Sequence, residues 1–300
     1  MYTLKTYNNV EIPCIGFGPG GIGYTPHPKI RKSFVSRAWN KFFIRPNVTQ
    51  KYIKAVTNAF KLGYTLLDDS ATYNNYPQIV QSWNKAGLSR KDLFITGRVS
   101  NTSQYNDTVE EEFNKSLKQL GTDYIDLYMF HWPVTGLYIK TWKTLEKLYK
   151  EGKIRTIGVA NCNIHHLQSI FNECEIKPMV NQFEVHPLFT QKELIKFCHD
   201  NEIVVEAYSP IARNDDRLMR LPKLRKIAEK YGKSIVQVIL RWDIQNGCIP
   251  IIRSLNSKRQ EEDINIFDFE LTDEEMNVID SININARVRY DPDNCDFTIL

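Results

Sequence analysis

The chain has no pair of cysteines in C-x-x-C spacing: Cys14, Cys162, Cys174, Cys198, Cys248 and Cys295 are scattered through its 300 residues. That argues against a zinc ribbon and a dense disulfide framework, and fits a reduced, cytoplasmic setting. The six histidines include no H-E-x-x-H, so no metal site is expected. No apolar run is long enough to span a bilayer, and no membrane partner is expected. The opening MYTLKTYNNV lacks an apolar core and a small-residue cleavage site, so no signal peptide is expected. Acidic residues are missing between Glu11 and Asp68, where Lys29, Arg31, Lys32, Arg37, Lys41, Arg45, Lys51, Lys54 and Lys61 are all basic. That stretch reads as a solvated basic face or as a rim that draws anionic ligands. The net charge of +4 is too modest to imply nucleic acid.

What is present is an ordinary globular composition, 42% hydrophobic and 25% charged. Residues 2 to 12 suggest a hairpin turning at Asn8-Asn9, followed by a core strand over 12 to 17. Gly18, Gly20 and Gly23 match G-x-G-x-x-G, but Tyr24-Thr25-Pro26-His27-Pro28 follows where a dinucleotide fingerprint needs a helix. Residues 24 to 47 look irregular. From there strands and helices alternate. Strands are expected at 64–67, 93–97, 124–130, 154–159, 178–182, 203–207 and 248–252. Helices are expected near 49–62, 75–86, 107–120, 139–151, from 164, to 200, 220–231, 234–246 and 257–266. Thr190 with Glu193 and Thr272 with Glu275 read as capping boxes, and 283–300 as a loop. Eight βα units predict one α/β domain over 1–300: a (β/α)8 barrel with an N-terminal β-hairpin, two extra helices and a C-terminal loop. A doubly wound sheet is the competitor, weakened by the missing phosphate turn.

Barrels collect chemistry at the C-terminal ends of their strands. Those ends carry Asp68, Arg98, His131, Asn161, Gln182, Tyr208 with Ser209, and Arg253 with Ser254. Tyr73 lies five residues past Asp68 and suits a proton donor. A phenol with a pKa near ~10 is a weak acid, which a nearby cation strengthens. Arg98 can supply that charge, Asp68 can orient it, and His131 can hydrogen-bond the reacting oxygen. The plainer alternative makes Asp68 and Arg98 a structural ion pair.

These residues resemble the aldo-keto reductase family. The likeness runs through Gly63-Tyr64, Asp68 and Tyr73, then Asp92 to Thr96, Leu120 to Pro133, Leu148 to Val159, Asn181 to Pro187 and Val204 to Pro210. The resemblance implies NADPH-dependent reduction of an aldehyde or ketone. Asp68, Tyr73, position 98 and His131 match the family's catalytic tetrad. Asn161 and Gln182 match the residues that hold the nicotinamide carboxamide, and Tyr208 matches the ring that stacks on it. Ser209 lies on the diphosphate path, Arg253, Ser254 and Arg259 match the residues that bind the adenosine 2′-phosphate, and Asp263 sits where the family has an asparagine facing the adenine. Phe17, Tyr24 and Trp132 are expected to line the substrate pocket, and the basic segment suits an anionic carbonyl substrate.

The departures are specific. Arg98 stands where the family has lysine, Asp69-Ser70 where it has Thr-Ala, Ala160 for a serine and Tyr76 for a glutamate. The altered tetrad keeps open a second reading, an NADP(H)-binding protein with weak or lost catalysis acting as a redox sensor or partner subunit. A third, a short-chain dehydrogenase, rests only on Tyr149 and Lys153 in Y-x-x-x-K spacing.

Overall fold

The computed structural model describes residues 2–22 and 45–299. Tyr24 lies outside them, as do Lys29, Arg31, Lys32, Arg37 and Lys41 of the basic stretch. A hairpin, β1 (Thr3–Lys5) with β2 (Glu11–Pro13), precedes the barrel. Its turn centres one residue earlier than expected: Asn9 N donates to Thr6 O, and Asn9 itself is left-handed at φ 65°. The Asn-Asn pair therefore closes a three-residue loop, with the second asparagine tolerating the strained position.

Eight parallel strands then close on themselves: β3 (Gly16–Phe17), β4 (Leu66–Asp68), β5 (Phe94–Val99), β6 (Ile125–Phe130), β7 (Ile154–Ala160), β8 (Val180–Glu184), β9 (Val204–Tyr208) and β10 (Cys248–Ile252). β10 pairs with both β9 and β3, so no edge is left open. The closed α/β barrel expected from the alternation is the observed architecture.

Helices form where one apolar stripe can reach the strands. Val109–Leu120 buries Val109, Phe113, Ser116 and Leu120 on one face. Phe113 meets Tyr128 of β6 edge-on, ring centres 4.9 Å apart, a burial contributing about 1.5–3 kcal/mol. Three glutamates occupy its first turn, where the helix dipole favours them, and Gly121 ends it at φ 64°. Helix Arg45–Lys61 starts earlier than the pattern suggested, since a proline is tolerated in a first turn. Helix Asn101–Asn106 was not expected; it is polar, capped by Ser100, and has no apolar stripe to read.

The Thr272–Glu275 capping box is present. The Thr190–Glu193 box is not. Thr190 N instead donates to Asn283 Oδ1, and helix Lys192–Asp200 begins after Gln191. A contact from the C-terminal segment therefore displaces the local cap. Near the N-terminal end of the barrel, Asp126 is fully buried and accepts from Arg90 Nη2 (2.6 Å), Arg155 Nη1 (2.6 Å) and Ile95 N (2.8 Å).

Candidate active site

Asp68 ends β4 behind the fully buried Leu66 and Leu67. The chain then makes a single 3-10 turn, Ala71–Tyr73, which Ser70 caps by accepting from Thr72 N. Asn74, left-handed at φ 51°, stops that turn. The turn delivers Tyr73 to a cleft of about 410 Å³ at the C-terminal ends of the strands. Tyr73 and His131 meet there edge to face, ring centres 6.4 Å apart.

Arg98 projects from β5 and is 2% exposed. Its Nη2 donates to Asp68 Oδ1 and, at 3.0 Å, to Gln182 Oε1. Gln182 Nε2 donates in turn to Asp68 Oδ1 (2.8 Å) and Glu206 Oε2 (2.7 Å). A guanidinium donates and never accepts, so the amide oxygen must face Arg98 and the amide nitrogen the two carboxyls. Among the described residues Arg98 makes no hydrogen bond to Tyr73. Arg98 acts on the phenol through its charge.

Burial pushes the Tyr73 phenol up, Arg98 pulls it back, and Asp68 and Asp69 push it further up. Burial would weaken the Arg98 cation, but Asp68 and Tyr73 outweigh that and hold its proton more tightly. His131 is pushed down to about 3 by burial, with Arg98 and Arg289 adding to it. The imidazole is therefore neutral at ordinary pH and can hydrogen-bond an oxygen without carrying charge. Asn161, left-handed at φ 62°, donates from Nδ2 to His131 O (2.9 Å) and accepts from the Tyr208 hydroxyl (2.7 Å).

The cleft thus gathers Asp68, Tyr73, Arg98, His131, Trp132, Asn161, Gln182, Tyr208, Ser209 and Arg253. Phe17 is not among them. It is 1% exposed and packs on Tyr64 at 5.6 Å, because the adjacent Gly16 takes the face toward Ile251 and Leu66. Ser254, Arg259 and Asp263 also lie outside the cleft lining: Ser254 follows Arg253, and the other two sit on helix Ser257–Ile264. Asp263 is buried, and burial pushes its carboxyl up to about 7.

Four cleft or network residues were not singled out from the sequence. Arg213 and Asn214 come from the loop after β9, and Arg289 from the C-terminal segment. Arg289 is placed by Glu184, whose carboxylate accepts from Val288 N (2.6 Å) and Arg289 N (3.1 Å). Glu206 had a signal: it is an acid inside the apolar run Val204 to Ala207. Farther out, Asp293 faces His165 and His166. His166 Nδ1 accepts from Asn163 N, which leaves Nε2 protonated toward Asp293. That group clips the C-terminal segment to helix Ile164–Glu173 and is poorly set to ligate a metal.

Comparison with known proteins bears on the family and the fold. The family model described as "Aldo/keto reductase family" matches residues 38–284. An uncharacterized oxidoreductase, YtbE, of Bacillus subtilis (strain 168) is 47% identical over 249 residues, covering 82% of this chain and 88% of that one. The glyoxal reductase of the same organism is 42% identical over 295 residues, covering 98% of each. An aldo-keto reductase of Bombyx mori, solved in complex with NADP, superimposes with a TM-score of 0.83 at 30% identity, covering 97% of this chain and 96% of that one. With its barrel closed and Asp68, Tyr73 and His131 converging beside Arg98, the chain belongs to the aldo/keto reductase family.

Proposed function

We propose that the chain reduces small aldehydes or ketones with NADPH, Tyr73 delivering the proton. The observation that carries this is the meeting of Tyr73 and a neutral His131 in the cleft that also holds the Arg98 charge. The cleft fits a nucleotide with a flat ring and phosphates. The Tyr208 ring, the cations Arg213 and Arg253, and the bare backbone of Gly18 and Gly20 all line it. A Cβ at Gly18 would come within 2.9 Å of Ile251 Cγ2, and one at Gly20 within 3.4 Å of the Arg253 guanidinium. Glycine keeps that floor open.

Asn161 and Tyr208 would hold the nicotinamide end, and Ser209 the diphosphate. Arg253, Ser254 and Arg259 would hold the 2′-phosphate, with Asp263 near the adenine. NADPH, when bound, supplies a hydride. The substrate carbonyl oxygen sits between Tyr73 and His131. As the carbon gains the hydride, the Tyr73 hydroxyl proton moves to that oxygen and the alcohol leaves. Arg98 stabilises the phenolate that remains, and Asp68 keeps Arg98 in place. His131, uncharged, directs the oxygen by a hydrogen bond. Trp132, stacked beside His131 at 6.5 Å and braced by Phe297 at 6.3 Å, walls the substrate side. The likeness to a glyoxal reductase supports small dicarbonyls as substrates. Exposed Arg289 at the rim supports an anionic carbonyl compound among them.

Purified protein is expected to oxidise NADPH in the presence of glyoxal-type carbonyls, and NADH much more slowly. The bond from Arg98 to Gln182 rather than Tyr73 favours one alternative, a nucleotide-binding protein with weak catalysis. Tight NADPH binding with no turnover across a broad carbonyl panel would support that alternative and end the reductase reading.

A further inference from the structure

Arg98 reaches farther than a lysine would, and it uses that reach to contact Gln182. Gln182 is paired in register with Glu206 across β8 and β9. The resulting chain is Arg98 to Gln182 to Glu206, with Gln182 also bonded to Asp68. Gln182 is 3% exposed and Glu206 0%. Asp68 therefore meets the buried guanidinium directly and Glu206 only through Gln182, whose amide nitrogen bridges the two carboxyls.

We propose that Glu206 is a positioning residue of the reaction: through Gln182 it holds the Arg98 guanidinium on Asp68 and sets how much of that charge Tyr73 feels. The inference rests on the reductase reading above. Its geometric basis is that both ends of the Gln182 amide are occupied, so the amide cannot turn without breaking a bond to Arg98 or to the acids. Glu206 Oε1 has no partner among the described residues. That oxygen is where a proton can reside while Oε2 still accepts from Gln182. The groups that face Glu206 are Asp68 from β4, Arg98 from β5 and Gln182 from β8; β10 offers the apolar Ile249 opposite it. The groups that act on Tyr73 are Arg98, Asp68, Asp69 and Arg289. Burial pushes Glu206 up to about 8, with Asp68 adding to it. Its ionisation is therefore moved above the ordinary carboxylate range. Each gain of that negative charge offsets part of Arg98 and makes the phenol a weaker acid.

The test is the pH dependence of kcat/KM for carbonyl reduction in wild type, Glu206→Gln and Glu206→Asp, with NADPH affinity measured by fluorescence and folding by circular dichroism. The basic limb reports loss of the Tyr73 proton. In Glu206→Gln that limb is expected to move down by about half a pH unit or more, since an anion that offsets the Arg98 charge is gone. In Glu206→Asp the limb is expected to stay in place while kcat falls about threefold or more, because the shorter acid loosens Gln182. A limb that stays put or moves up in Glu206→Gln overturns the proposal. If Glu206→Gln does not fold, Glu206→Asp decides: wild-type kcat and limb in a folded chain overturn it. A purely structural role would lower melting temperature and leave limb and kcat of the folded chain unchanged. Absence of turnover in wild type would strike the reductase reading, whereas superimposed profiles in active proteins would strike this inference alone.

Discussion

A guanidinium at position 98 presents several donors in a plane where an ammonium presents a point charge. That difference redirects the site. Arg98 joins Asp68 to Gln182, and Tyr73 is left with its electrostatic support but without a hydrogen bond from it. The residues proposed to handle the proton were legible in the sequence because they stand at strand ends or, for Tyr73, on the turn just past one. What they bond to was not, since Gln182 and Glu206 meet only through strand register. Asp69 carries a measurable consequence. It is fully buried, and its carboxyl is pushed up to about 8 by burial, with Asp68 adding to it. In the unfolded chain an aspartate titrates near ~3.9. Between those values the native state keeps a proton that the unfolded chain has released, so this group lowers stability as pH rises through that window. Asp69→Asn is therefore expected to gain melting temperature relative to wild type as pH rises from 5 to 8. A difference that does not change with pH would contradict the assignment.

At the scale of elements, the strands and most helices follow from apolar runs, stripes and glycine stops. Helix Asn101–Asn106 was invisible because its anchoring is polar: Gln104 Nε2 donates to Trp132 O at 3.0 Å. Thr190 failed as a cap because a segment some ninety residues later competes for its N–H. Periodicity carries no record of such distant partners. The C-terminal segment is the clearest case. It reads as a polar loop, yet Glu184 and Asn163 tie it down and place Arg289 on the cleft. The opposite end of the barrel bears on stability. Asp126 joins two arginines and a β5 amide beneath the strands. Asp126→Ala is expected to cost about 3 kcal/mol in urea unfolding, because it leaves Arg90 and the Ile95 N–H without their partner. A loss below about 1 kcal/mol would mean the arginines are satisfied by solvent.

For the whole molecule, closing eight strands fixes where chemistry can occur. Asp68, Arg98, His131, Asn161, Gln182 and Tyr208 come from six different strands or their ends and still share one mouth. The barrel could be inferred from the count of alternating units, and the family from ordered motifs. The competence of an Arg-supported tyrosine follows from neither, and it is the central claim. The most direct measurement is the turnover of Tyr73→Phe beside wild type, with NADPH affinity determined for both. The account expects affinity to hold within about threefold and kcat to fall by about 10²–10⁴, the usual worth of a positioned acid. A folded Tyr73→Phe that keeps kcat within tenfold of wild type would show that the proton comes from elsewhere.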